Sequence, residues 1–253
     1  MIARTLLRGF GLADMTATIY ILASNTELGY VWKNATGEGK AIIGILALFS
    51  ILAWSVMASK ALQMRRATKL NAAFDAEFRG QTSVLAIYKR NIQVEGCPLF
   101  TLYHQGCVEL EARLKTPSGG QRQYISLKSV EHVKRTLERT VAQEALKLES
   151  GLIMLAIAVS GAPFLGLLGT VWGVMSTFGQ VGMMGRADLP TMAPGVAAAL
   201  VTTVAGLLVA IPSMFGYNWL VHTLRVLTVE LDNFAQELAS KIETEYLKDE
   251  DGE

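Results

Sequence analysis

Residues 161–218, GAPFLGLLGTVWGVMSTFGQVGMMGRADLPTMAPGVAAALVTTVAGLLVAIPSMFGYN, decide how this chain is read. From Gly151 to Gly185 there is no Asp, Glu, Lys or Arg, and after Arg186 and Asp188 the charge-free run resumes from Leu189 to Leu224. A hydrocarbon core about 30 Å thick is crossed by ~20 apolar residues of helix. Each run therefore spans a bilayer with length to spare. Small and polar residues recur inside both runs at helical spacing. Gly166, Gly169, Thr170, Gly173 and Thr177 fall on one face of the first, and Gly195, Ala199, Thr203 (with Thr202 beside it), Gly206 and Ala210 on one face of the second. Small faces let membrane helices approach closely, with Ser or Thr hydrogen-bonding across the contact. On the residues alone two readings stay open. The stripes pack helices and nothing more, or the threonines line a wet or ion-conducting seam as the polar groups available at that depth.

The stretch Ala162-Pro163-Phe164-Leu165-Gly166-Leu167-Leu168-Gly169-Thr170-Val171-Trp172-Gly173-Val174-Met175 resembles the second transmembrane helix of the MotA/TolQ/ExbB proton-channel family. Ala193-Pro194-Gly195-Val196-Ala197-Ala198-Ala199-Leu200, continuing through Thr203, Gly206, Ala210 and Pro212 to Tyr217-Asn218, resembles its third. The order and the short loop between them match as well. ExbB and TolQ are nearer than MotA, because three spans are on offer here where the flagellar stator subunit has four. The resemblance implies that Thr170 and Thr203, with Thr177 and Thr202 beside them, line a proton pathway. Pro163, Gly166, Gly169, Gly173, Pro194, Gly195, Ala199, Gly206 and Pro212 would shape and pack the helices. It also implies a homo-oligomeric ring, a pentamer in known members, around two copies of an ExbD/TolR-like subunit whose single span carries the essential Asp. A TonB/TolA-like protein crossing the periplasm would receive the work. One residue departs from the pattern: ExbB and TolQ usually carry Glu where this chain has Ala198.

Working outward, the 19 residues from Ala41 to Ser59 carry no charge and form the first span. Lys60, Arg65, Arg66 and Lys69 follow at once, whereas Lys33 and Lys40 are the basic residues just before. Basic residues cluster on the cytoplasmic side of a span. The expected fold is thus an all-α integral membrane protein of a bacterial inner membrane with three transmembrane helices. A periplasmic or interfacial segment would cover 1–40, with spans at 41–59, 151–182 and 192–222. The cytoplasmic helical region is 60–150, the periplasmic loop 183–191 and the cytoplasmic tail 223–253. Arg4, Arg8 and Asp14, with the stripe Leu6, Leu7, Phe10, Met15, Ile19 and Leu22, suit an interfacial amphipathic helix better than a signal peptide. Asn25 to Lys40 reads as a loop, with Asn34, Gly37 and Gly39 as breakers.

The block from 60 to 150 is helical by period. Leu62, Leu70 and Phe74 share a side of Lys60–Gly80. Pro98 opens a helix through Leu114 with Leu102, Cys107, Leu110 and Leu114 as its apolar positions. Thr116-Pro117-Ser118-Gly119-Gly120 breaks the chain. Val130, Val133, Leu137, Val141 and Leu148 then recur without interruption into Ser150, so the second membrane helix is expected to begin far inside the cytoplasm. Leu224, Leu227, Leu231, Phe234, Leu238 and Ile242 extend the third in the same way. Two such extensions would build a cytoplasmic helical bundle. Pro163 and Pro212 sit inside apparent helices, where each removes a backbone hydrogen bond. Pro194 suits the first turn of its helix.

Bond-making chemistry finds no support. His104, His132 and His222 are scattered, and no HExxH, GxSxG or P-loop motif occurs. Glu131 and His132 belong to a charged helix face. Cys97 and Cys107, ten residues apart, fit neither a redox pair nor a zinc pattern and read as buried thiols. A net charge of +1 gives no reason to expect nucleic acid. Half of the residues are hydrophobic (51%) and only 18% charged, as a membrane class requires. No Asp, Glu, Lys, Arg or His lies deep in a predicted span, yet a proton crossing lipid needs a titratable relay. The expected role is therefore that of a ring subunit of a proton-motive-force-driven motor, with protons or another monovalent cation as the only small species and no cofactor or metal. The competing roles are a structural membrane scaffold, a flagellar-stator-like subunit and a small-solute transporter. The last is disfavoured by the lack of an inverted repeat or a charged midplane site.

Overall fold

The computed structural model describes residues 36–115, 122–185 and 188–247. Five helices account for most of them: α1 (Gly37–Arg79), α2 (Pro98–Leu114), α3 (Leu127–Glu149), α4 (Leu152–Met184) and α5 (Leu189–Tyr246). Of these, α1, α4 and α5 are long and apolar enough to cross a membrane. The amphipathic stripe expected before residue 35, the breaker cluster Thr116–Gly120 and Arg186 lie outside the described residues. The chain divides into two units, Met1–Ala53 with Ala156–Met214 and Trp54–Leu155 with Phe215–Glu253.

In the first unit the described part of α1 begins four residues before the charge-free run. Thr36 opens it: its Oγ1 accepts from the Gly39 N–H at 3.2 Å and its carbonyl from the Lys40 N–H at 3.0 Å. Gly37 and Gly39, read as breakers, are helical here, because a first turn tolerates glycine and its orphan N–H groups find a cap. The core is small: Ile42, Leu46, Ala162, Val209 and Ala210, with Phe49, Leu165 and Ala205 against it. Large apolar side chains point outward instead, among them Phe164 at 72% exposure and Leu208 at 69%. Water would not tolerate such a surface; lipid or another helix does.

The second unit is built the other way round. Phe74 and Phe78 of α1, Tyr103 of α2 and Phe234 of α5 form one aromatic cluster, the Phe78 and Phe234 rings 4.9 Å apart at 65°. Leucines and valines of α2, α3 and α5 complete the core. Helix α2 runs over the expected residues: Pro98 holds its first turn and the Cys97 thiol caps it, accepting from the Phe100 N–H. All four of its expected apolar positions are buried, as are the five of α3. The Tyr103 hydroxyl donates to the Val84 carbonyl at 2.6 Å and accepts from the Tyr88 N–H at 2.9 Å, tying the loop after α1 to the core. Glu245 holds the same loop by accepting from the Ser83 hydroxyl and the Val84 N–H.

Three further expectations are corrected. Helix α3 does not run into α4. It ends at Glu149, Gly151 follows at φ +85°, and α4 starts at Leu152, so of the two expected extensions only that of the third membrane helix is continuous with its span. Glycine alone enters that left-handed conformation without strain, and the Lys60 ammonium reaches the freed carbonyls of Lys147 and Leu148 at 3.4 and 3.3 Å. Pro194 is interior to α5, since that helix starts at Leu189 and Pro190 takes its first turn. Leu62 is 68% exposed. The buried side of α1 there runs through Met64, Ala67, Asn71, Phe74 and Phe78.

Candidate functional site

The small-residue stripes of α4 and α5 meet in the first unit, and they meet backbone to backbone. A Cβ on Gly206 would stand 2.5 Å from the Ala162 carbonyl oxygen, and one on Gly166 would stand 2.9 Å from the Thr202 oxygen and 3.0 Å from the Thr203 Cα. Further along, Gly169 receives the Thr202 side chain, Gly173 the Ala199 methyl and Gly195 the Thr177 side chain. Every glycine of the two stripes is thus opposite a group that needs its missing methyl. Lipid tails give helices no hydrophobic reason to associate, so close van der Waals fit and hydrogen bonds across the seam must hold them.

The four threonines fall into two pairs. Thr202, 1% exposed, is wedged against Gly169, its hydroxyl 2.6 Å from the Ala199 carbonyl and 3.0 Å from that of Gly166. Thr177, 7% exposed, donates to the Gly173 carbonyl at 2.8 Å. Both hydroxyls are consumed inside the helix pair. Thr170 and Thr203 are half-buried, and their hydroxyls contact each other across the seam. Each also reaches the Gly166 carbonyl, at 3.1 and 3.2 Å.

That carbonyl oxygen has two lone pairs, and in a regular helix one already serves the Thr170 N–H. Three hydroxyls cannot all donate to what is left. Thr202 has Ala199 as its alternative, so of Thr170 and Thr203 one donates to Gly166 and the other to its neighbour's oxygen. Hydroxyls rotate easily. The pair, on two half-buried residues, is a reorientable donor–acceptor group. It has no charge of its own, and no Asp, Glu, Lys, Arg or His lies deep in the spans to supply one.

Ala198 is buried, on a small void it shares with Thr36, Gly39, Gly169, Gly173, Gly195, Ala199 and Thr202. The void holds about 10 Å³, roughly one water. A glutamate arm in this position has no room in this packing. Thr36 and Gly39, placed in a loop by their sequence, form part of that wall. The signal that could have found them is the continuation of Ile42 and Leu46 back to Gly39 at helical spacing. Pro163, Pro194 and Pro212 are all interior to their helices. Beside Pro212, the buried Ser213 hydroxyl donates to the Val209 carbonyl at 2.7 Å. Among the described residues no three His, Cys, Asp or Glu converge to hold a metal ion.

Comparison with known proteins places this seam in a family. The profile of the MotA/TolQ/ExbB proton channel family matches residues 110–233, which include both stripes. The "Biopolymer transport protein ExbB" of Neisseria meningitidis serogroup A is 29% identical over 194 residues, 77% of this chain and 87% of that protein. The ExbB of Xanthomonas campestris pv. campestris is 38% identical over 126 residues, half of each chain (50% and 49%). The "Tol-Pal system protein TolQ" of Haemophilus influenzae is 30% identical over 205 residues, 79% of this chain and 86% of that protein. With a seam of this kind, three helices able to span a membrane and relatives that align along most of its length, the chain belongs to the MotA/TolQ/ExbB proton channel family.

Proposed function

We propose that this chain is the ring-forming subunit of a proton-motive-force-driven motor in a bacterial inner membrane. Several copies, five by resemblance to ExbB and TolQ, would surround two ExbD/TolR-like single-span partners. Protons, or another monovalent cation, would pass along the Thr170–Thr203 hydroxyls to and from an aspartate carried by the partner. The observation that carries this reading is the hydroxyl pair of two half-buried threonines, in spans with no Asp, Glu, Lys, Arg or His deep inside them. A sleeve of rotating hydroxyls can solvate a carboxyl group and hand protons to it, but it cannot carry a proton alone. Each proton moved inward releases about 2.3 kcal/mol per 100 mV, which would turn or shift the partner and act on a TonB/TolA-like periplasm-spanning protein. The basic cluster from Lys60 to Lys69 supports a periplasmic N-terminus and a cytoplasmic C-terminus. No covalent chemistry or cofactor enters this account.

Valine at Thr170 or Thr203 keeps the shape and removes the hydroxyl. With the partner present, Thr170→Val and Thr203→Val are expected to lower proton flux into liposomes at least tenfold while the assembly, counted by native mass spectrometry, stays intact. Unchanged flux in both would leave the seam as a scaffold only.

A further inference from the structure

The second unit carries two grooves of opposite charge. One lies between α1 and α5, encloses about 340 Å³ and is lined by Asn71, Asp75, Arg79, Glu230, Asn233 and Glu237 among others. Three carboxylates there face one guanidinium, and that one, Arg79, is already shared between Asp75 at 2.9 Å and Glu237 at 2.8 Å. Glu230 is exposed and has no ion-pair partner among the described residues. The other groove lies between α2 and α3, also encloses about 340 Å³ and is lined by Glu109, Arg113, His132, Arg135, Thr136 and Arg139. Three guanidiniums there face one carboxylate. Arg113 is paired with Glu109 at 2.7 Å and Arg135 reaches Glu131 at 3.5 Å, but the exposed Arg139 has no partner among the described residues.

A second observation marks the acidic groove as unfinished. Asn71, 2% exposed, is one of its lining residues. Its Oδ1 accepts from the Leu99 N–H at 3.2 Å, which fixes the amide's orientation, and its buried Nδ2 has no hydrogen-bond partner. A buried donor left unsatisfied is destabilising. It lacks an acceptor oxygen, a role that a water trapped beneath a covering surface fills.

We infer that the α1/α5 acidic groove of one copy receives the α2/α3 basic groove of the next, so that copies join head to tail. A patch that meets a different patch makes a heterologous contact, and such contacts generate rings when the rotation closes. Complementary charge sets the register and rejects the wrong pairing, like-charged grooves repelling each other. The inference rests on the ring reading given above and deepens it by naming the faces that meet.

The test uses the full chain in detergent with Glu230→Cys and Arg139→Cys combined. Both positions are exposed, while the native Cys97 and Cys107 are buried at 1% and 0% exposure. Burial also pushes the Cys107 thiol up to about 12, so neither native cysteine competes for a short bismaleimide at neutral pH. The expected product is a ladder of covalent multimers up to the full ring, absent from either single variant. Arg139→Glu or Glu230→Arg alone should cut the ring fraction in native mass spectra several-fold, and the two reversals together should restore it. Rings that form normally but give no ladder, or that ignore both single reversals, overturn the contact and leave the ring reading standing. A wild-type chain that stays monomeric overturns both.

Discussion

The two units solve the same packing problem with opposite materials. In the second, helices are held apart by large side chains that interlock, with Phe74, Phe78, Tyr103 and Phe234 as the centrepiece. In the first, helices touch through the absence of side chains, with Gly206 on the Ala162 carbonyl and Gly166 on Thr202 and Thr203. The difference follows from the solvent each surface suits. Where water surrounds the fold, removing apolar area from it drives association and bulky residues contribute most. Where the surroundings are themselves apolar, only closeness and hydrogen bonding distinguish a helix neighbour from lipid. It also explains why the polar groups of the first unit can serve a second purpose. A seam closed by threonine hydroxyls is already a string of donors and acceptors.

The largest effect that would test this contrast is in the aromatic cluster. Phe78→Ala removes a side chain that is 2% exposed and should cost about 3–5 kcal/mol in chemical denaturation of the second unit. A loss below about 1 kcal/mol would mean that the cluster does not hold the unit together. Next comes one substitution made in both regions. Gly206→Ala pushes a methyl onto a backbone oxygen and should destabilise by about 1–3 kcal/mol. Gly106→Ala meets only the flexible tips of Leu137 and Leu238, and should cost under about 1 kcal/mol. Equal midpoints for the two variants in thermal unfolding would erase the distinction between the units. Gly151→Ala, at φ +85°, should lose about 1–2 kcal/mol through left-handed strain alone. A neutral result would show that the α3–α4 junction straightens freely. Leu62→Ser should stay within about 0.5 kcal/mol of wild type, because the side chain is 68% exposed. A larger loss would put Leu62 in an interface.

The contrast also decided what could be read from the sequence. Apolar residues at helical spacing marked α2 and α3 closely, because the cores they face are made of Leu, Val and Phe. The stripes of α4 and α5 were legible for the opposite reason, glycine and threonine being conspicuous in an apolar run. What lay hidden was the buried side of α1 beyond its span. It uses Ala67 and the polar Asn71, so hydrophobicity pointed to Leu62 instead. The break at Gly151 was masked by the unbroken period of α3 up to Leu148, since periodicity does not register the φ of a single residue. In the seam, the four threonines look alike in sequence. Only packing shows that Thr177 and Thr202 fill glycine notches while the half-buried Thr170 and Thr203 pair hydroxyl to hydroxyl across the seam.

The central claim is that this chain provides hydroxyls and a partner provides the carboxylate. It is tested most directly by measuring pH-dye quenching in liposomes that hold the purified chain, with and without the co-expressed single-span partner, under an imposed potential. The account predicts no flux above that of empty liposomes from the chain alone, and flux that appears with the partner and vanishes when its membrane aspartate is changed to Asn. Full proton flux through the chain by itself would contradict it.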